Sequence, residues 1–212
     1  MPDIKAAIFD LDGTLLDSMG IWEQIDIAFL KKRGHEATAD YIQAITPLGF
    51  REAAEYTIER FGLAESPEEL IDEWGQMCRR AYESTVRLKP HAKAYLLKLK
   101  AAGGKLAVAT ALDPEQYIPA LKSNDVIHLF DAFVSLKEVP RNKSFPDIYL
   151  LAAARLGVEP SRCMVYEDIL SGILSAQSGG FKTCGVYDDS ASHEWGKIRE
   201  TADRTIADYS AL

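Results

Sequence analysis

Short apolar runs alternate along this chain with stretches whose apolar residues recur every three or four positions. The runs at residues 4–9, 105–110, 132–135, 163–166 and 183–186 predict β-strands, and a weaker one falls at 204–206. Between them, residues 92–102, 114–123, 146–156 and 171–178 carry helical spacing. Gly103, Gly104, Gly157, Gly179 and Gly180 stand where helix C-caps belong. Strands alternating with crossover helices predict an α/β fold on a parallel sheet.

Residues 18–88 break that rhythm. No convincing strand pattern occurs there, and at least three helical segments do. Ile21, Trp22, Ile25, Ala28 and Phe29 recur at helical spacing, as do Ala53, Ala54, Thr57, Ile58 and Phe61, and residues 70–82 form a third segment. So long a connection is better read as a small inserted helical domain than as a loop. The expected division is therefore 1–17 with 89–212 as the α/β core and 18–88 as the insert. The insert follows the first strand directly, at the strand end where open α/β sheets bind ligands.

The candidate chemistry begins at that strand's end, in IFDLDGTLLD. Two carboxylates, Asp10 and Asp12, sit one residue apart and are followed by Gly13 and Thr14. Strand alternation would point both acids the same way, and glycine allows a tight turn beside them. Acids at the mouth of a buried strand are costly unless a cation or a proton offsets their charge. The plain alternative is a solvated acidic turn. Against it, the string DLDGTLLDS closely resembles the nucleophile motif of the haloacid dehalogenase-like (HAD) phosphotransferases.

Three further strand ends extend the resemblance, in the order that family uses. KLAVAT ends at Thr110 and is followed by Ala111, where the family places a hydroxyl and backbone N–H groups that hold phosphoryl oxygens. Lys143, in RNKSFPD, resembles the family's GKPxPD lysine, with Asn142 for Gly and Ser144 for Pro; Lys137 is its nearest rival. Glu167 and Asp168, with Gly172 beyond them, resemble the metal-binding EDxxxG element. Taken alone, such an acid pair is also a common helix N-cap.

The resemblance covers essentially the whole chain. It implies a Rossmann-like core, a helical cap over residues 18–88, and a Mg2+-dependent phosphatase acting on a small phosphomonoester such as a sugar phosphate. Asp10 would be the nucleophile that forms an aspartyl-phosphate, and Asp12 the general acid and base. Thr110, Ala111 and Lys143 would hold the phosphoryl group. Mg2+ would be held by Asp10, Asp168, the Asp12 backbone carbonyl and, more remotely, Glu167. Dehalogenases of the same superfamily attack carbon and lack the second acid, so Asp12 favours phosphoryl transfer. A phosphomutase like the β-phosphoglucomutases is the alternative. Arg51, in GFREA, resembles the cap arginine that binds a second phosphate in those enzymes, or is a solvated helix charge. None of His35, His91, His128 and His193 falls near Trp22, where those mutases carry a histidine. A non-catalytic phosphate-ligand binding protein is the remote third reading, since neither Asp10 nor Asp168 is lost.

Composition narrows the picture by exclusion. The chain has 212 residues, 47% hydrophobic and 26% charged, which is ordinary for a globular protein of one substantial domain or a core with an addition. A net charge of −8 argues against a nucleic-acid footprint. Cys78, Cys163 and Cys184 show no CxxC spacing; Cys163 and Cys184 lie in apolar strand runs and read as small hydrophobes, and the chain reads as reduced and intracellular. The start, MPDIKAAIFD, has no long apolar signal core and no segment reaches membrane-spanning length, so a cytoplasmic location is expected. A cap that seals the site would let a monomer suffice, with a weak homodimer as the other expectation.

Overall fold

A computed structural model of the chain describes residues 4–45 and 48–212. Residues 1–3, part of the segment scanned for a signal core, lie outside the described residues. In chain order the elements begin with β1 (Ala6–Phe9), β2 (Leu16–Asp17), α1 (Ile21–Lys32), α2 (Ala39–Ile45), α3 (Phe50–Phe61), α4 (Pro67–Ser84) and β3 (Arg87–Leu88). They continue with α5 (Ala92–Ala101), β4 (Lys105–Thr110), α6 (Pro114–Ser123), β5 (Ala132–Ser135) and α7 (Asp147–Leu156). The last are β6 (Cys163–Glu167), α8 (Leu170–Ser178), β7 (Lys182–Val186), α9 (Trp195–Thr201) and β8 (Arg204–Ile206).

Six strands form one parallel sheet in the order β5-β4-β1-β6-β7-β8. The fold is the α/β parallel-sheet class expected from the strand and helix pattern. The chain starts at central β1, builds outward through β4 and β5, then crosses to β6 on β1's other flank. That reversal is a topological switch point, and it brings the carboxyl ends of β4, β1 and β6 side by side. Phe9, the last residue of β1, pairs with Val108 on one side and Tyr166 on the other.

Alternation along the strands sorts the core into two faces. Ile8, Ala107, Val134 and Val165 pack with Ile148, Tyr149, Ala152 and Leu156 of α7 and Ala176 of α8. On the opposite face Phe9 stacks on Tyr166 at 4.4 Å and meets Phe130 edge-on at 6.4 Å. Asp10 follows the parity of Ala6 and Ile8, and Glu167 that of Cys163 and Val165, so both acids extend the α7 face.

The chain divides into two compact units, one running up to Met19 and resuming at Val86–Leu212, the other Gly20–Thr85. The second unit consists of α1 to α4. Its core includes Ile25, Phe29, Tyr41, Ala54, Leu70, Trp74 and Cys78, with Phe29 edge-on to Trp74 at 5.5 Å. The start of α4 is written locally: Ser66 and Glu69 form a capping box, and Pro67 occupies the first turn, where its missing N–H is harmless.

One detail departs from expectation. Residues 18–88 were expected to lack strands, yet β3 lies there and pairs antiparallel with β2, Leu16 with Leu88 and Asp17 with Arg87. A two-residue ladder is too short to leave a period in the sequence. Among the described residues the insert holds four helices, within the expectation of at least three; the seven residues of α2 bury only Tyr41 and so carry no apolar stripe.

Candidate active site

Two glycines make room for the acids at the switch point. After β1 the backbone turns back on itself: Gly13 N–H donates to the Leu16 carbonyl at 3.1 Å, and Leu15 and Leu16 donate to the Leu11 carbonyl at 2.9 and 2.8 Å. Gly13 has φ +73°, and a Cβ there would lie 2.4 Å from Asp168 Oδ2. Gly172, in α8, has the same purpose, since a Cβ there would lie 2.6 Å from Glu167 Cδ. Each glycine that the sequence motifs contain therefore leaves space for a carboxylate from β6 or its end.

Asp10, Glu167 and Asp168 converge, each offering an oxygen within 4.8 Å of the others. All three are buried, Glu167 completely. Lys143 reaches in from the turn before α7, donating to Asp10 Oδ1 and, at 2.7 Å, to Glu167 Oε1. That turn is shaped by Asn142, whose Oδ1 accepts from Ser144 N–H at 3.1 Å while its carbonyl accepts from Phe145 N–H at 3.0 Å. Asn142 thus turns the chain where the resembled motif has glycine. Lys137, the rival lysine, is exposed and pairs with Asp113 at 2.7 Å.

Two hydroxyls complete the surroundings. Tyr149 OH donates to Glu167 Oε1 at 2.6 Å, and Thr14 Oγ1 donates to Asp168 Oδ1 at 2.9 Å. The other oxygen, Glu167 Oε2, is buried with no hydrogen-bond partner among the described residues.

If all are ionised, three carboxylates face one ammonium and two negative charges stay uncompensated. Burial pushes the Asp10 carboxyl well above its ordinary range; Lys143 opposes the shift, and Glu167, Asp168 and Asp12 add to it. Asp168 is pushed up to about 7 by burial and by Glu167, against the pull of Thr14 and Lys143. Burial alone would lower Lys143, yet Asp10 and Glu167 hold it protonated above its usual range. Protons can relieve such a cluster, and so can a divalent cation. Carboxylate oxygens are hard donors of the kind such ions take, and the partnerless Glu167 oxygen fits that use.

The remaining predicted residues are placed as follows. Asp12 lies beyond the last residue of β1, in the turn that follows it, and bridges to Leu16. Its carboxylate lies outside the acid cluster and accepts from Ser18 Oγ at 2.6 Å. Thr110 ends β4, one register step beyond the position beside Asp10, and its Oγ1 accepts from Leu112 N–H at 3.1 Å. That bond leaves the hydroxyl hydrogen free to donate elsewhere. Ala111 follows in an exposed bend. Arg51 belongs to the helical unit, where it pairs with Glu68 at 2.7 Å and Glu55 at 3.2 Å.

Sequence reasoning gave Thr14 no role and overlooked Tyr149. Thr14 sits inside the motif itself, so its hydroxyl beside two acids was a usable signal. Tyr149 gave none, because it occupies the apolar stripe of α7 like any core aromatic. The three cysteines are buried and in no disulfide among the described residues, and burial pushes the Cys163 and Cys184 thiols up to about 11 and about 12. No helix among the described residues is long and apolar enough to cross a membrane.

Known proteins resemble this chain over most of its length. The family model described as haloacid dehalogenase-like hydrolase matches residues 7–186. A phosphorylated carbohydrates phosphatase of Thermotoga maritima is 28% identical over 179 residues, covering 84% of this chain and 83% of that protein. Hexitol phosphatase B of Escherichia coli is 26% identical over 196 residues, covering 90% and 87%. Among solved structures, a HAD family hydrolase of Deinococcus radiodurans with bound phosphate and sodium superposes with a TM-score of 0.79 at 26% identity, covering 100% of this chain and 94% of that one.

Proposed function

The chain belongs to the haloacid dehalogenase-like hydrolases, and from that premise we propose that it is a Mg2+-dependent phosphatase acting on a small phosphomonoester such as a sugar phosphate. The carrying observation is the charge imbalance of the buried cluster, three carboxylates against Lys143. A structural ion pair has no use for two surplus acids, whereas a site for a divalent cation does.

In this reading Asp10 attacks phosphorus, and an Asp10–phosphorus bond forms as the bond to the leaving oxygen breaks. The departing electron pair takes a proton from Asp12, so an alcohol leaves. Asp12 then accepts a proton from water as that water attacks phosphorus; the bond between the Asp10 oxygen and phosphorus breaks, inorganic phosphate is released, Asp10 returns to a carboxylate and Asp12 to the protonated acid. The Ser18 hydroxyl bound to Asp12 orients that acid for the two transfers. Lys143 and the free hydroxyl hydrogen of Thr110 neutralise charge on the phosphoryl oxygens, with the backbone at Ala111 beside them. Asp10, Asp168, the Asp12 carbonyl and, more remotely, Glu167 would hold Mg2+, which when bound screens nucleophile from phosphate. Residues 18–88 serve as the cap in this reading, and Arg51 as one of its substrate-facing candidates.

The test is phosphate release from a panel of phosphomonoesters with and without Mg2+, with Asp10→Asn as control. The panel includes β-glucose 1-phosphate, with glucose 6-phosphate followed in the same reactions. Mg2+-dependent release that the variant loses supports the proposal. Glucose 6-phosphate formed without free phosphate replaces it with a mutase, and wild-type activity in Asp10→Asn overturns the mechanism.

A further inference from the structure

Close to the acid cluster lies a phenol that the proposed chemistry does not use. Tyr209, in the short turn Tyr209–Ala211, is 2% exposed and packs against Tyr95 and Tyr166, with ring centroids 5.6 and 6.4 Å away. Its hydroxyl donates to the Thr14 carbonyl at 3.1 Å. Packing in an aromatic cluster would be served as well by phenylalanine, and a buried hydroxyl is unfavourable unless it is bonded. The group this hydroxyl meets is the residue whose side chain holds Asp168. Thr14 is thereby fixed at both ends of its backbone: its N–H donates to the Leu11 carbonyl at 3.1 Å, and its carbonyl accepts from Tyr209. With the backbone fixed, Oγ1 is delivered to Asp168 Oδ1 at 2.9 Å, a bond that a small displacement would break.

We propose that Tyr209 is a positioning residue, acting through Thr14 to hold Asp168 in the orientation that takes a divalent cation. This rests on the reading of Asp168 as a Mg2+ ligand. It assigns to residue 209 a part in a turn formed 195 positions earlier, and no strand or helix of the sheet connects the two directly.

The experiment is a double-mutant cycle of Tyr209→Phe and Thr14→Val on the full chain, with Tyr95→Phe as control. Two quantities are read: the Mg2+ dissociation constant by calorimetry, and amide hydrogen exchange of the metal-free protein at Gly13 and Thr14. Thr14→Val, which removes the outer partner of a ligand, should weaken Mg2+ about tenfold. Tyr209→Phe should weaken it less, by a few-fold, and speed exchange at Gly13 and Thr14 while Val165, inside the sheet, stays protected. The double variant should be no worse than Thr14→Val alone, since the route runs through that hydroxyl. Tyr95→Phe, which loses a hydroxyl of the same cluster bonded to Tyr166, should leave the Mg2+ constant unchanged. Unchanged Mg2+ affinity in Tyr209→Phe, or losses that add in the double variant, overturns the proposal. A wild type that binds no Mg2+ overturns the phosphatase reading instead. Exchange at Gly13 and Thr14 then decides whether Tyr209 fixes the turn, unchanged exchange refuting it.

Discussion

Two lysines are drawn into the core unit, and their surroundings differ in a way that separates holding from working. Lys89 meets one carboxylate, Asp188 Oδ2, at 2.8 Å and also donates to the Tyr187 carbonyl at 2.6 Å. Asp188 is completed by Ser190, whose N–H and hydroxyl both donate to its other oxygen. Burial would raise Asp188, yet Lys89 and Ser190 hold it below the ordinary carboxylate range. Lys143 meets two carboxylates with a third beside them, and there Asp10 and Asp168 are pushed up. One cation to one anion, with every oxygen bonded, is a finished structural pair. One cation among three anions, with an oxygen left over, is a cluster waiting for a further positive charge.

The sharpest way to break the comparison is to remove one acid from each site. Asp10→Asn should lower phosphate release by on the order of 10^3-fold or more while the thermal unfolding midpoint stays or rises, because the proposed nucleophile goes and repulsion is relieved. Asp188→Ala should do the reverse: turnover within a few-fold, but unfolding in urea easier by about 3–5 kcal/mol, since Lys89 is left buried without its partner. Equal loss of activity in both variants would erase the distinction.

Next comes pH. A carboxyl raised in the folded state stabilises the fold below its unfolded pKa, and that stability is lost as pH rises through the folded value. For Asp168 the window runs from the ordinary 3.8 up to about 7. The metal-free protein should therefore unfold more easily at pH 7.5 than at pH 5, and Mg2+ should restore stability at pH 7.5 with little effect at pH 5. Melting curves at both pH values, with Mg2+ and with a chelator, test this; a Mg2+ effect equal at the two would count against it. The Lys89–Asp188 pair has the opposite sign, its contribution fading only as pH falls below the ordinary carboxylate range.

A subtler probe is space. Gly172→Ala puts a methyl group where the Glu167 carboxylate sits, so it should weaken Mg2+ binding about tenfold in a titration. Gly34→Ala meets nothing within 4 Å and should leave Mg2+ affinity alone, losing about 1 kcal/mol of stability to its φ of +79°. Smallest of all, Lys137→Met should leave kcat/KM within error, as its pairing with Asp113 is on the surface.

The same contrast marks what the sequence could disclose. Strand ends were legible because buried parallel strands are short apolar runs, and β4 and β5 fall at the residues their patterns predicted. The acids at 10, 167 and 168 were legible because charge at the mouth of such a run is chemically expensive. The Ser18 hydroxyl on Asp12 was not, since the turn after β1 brings the two together. Lys143 was legible ahead of Lys137 from the RNKSFPD segment that carries it, whereas the Asn142 turn beside it was not. Lys89, Asp188, Tyr149 and Tyr209 carry no local signal at all. Each is defined by a partner far along the chain, and a sequence pattern records neighbours on one element rather than meetings between elements.

The small ladder of β2 and β3 has a consequence of another kind. Leu16 pairs with Leu88 and Asp17 with Arg87, and Lys89 N–H continues the contact to the Leu15 carbonyl at 2.8 Å. The chain therefore leaves the sheet and returns to it through one doorway two strands wide. From inside, everything between is a hairpin loop, whatever its size. Because loop closure grows only with the logarithm of length, about 0.6 kcal/mol per doubling, the doorway is nearly indifferent to what is threaded through it. Interchange of the whole helical segment for a longer or shorter one is a change the α/β scaffold is built to survive.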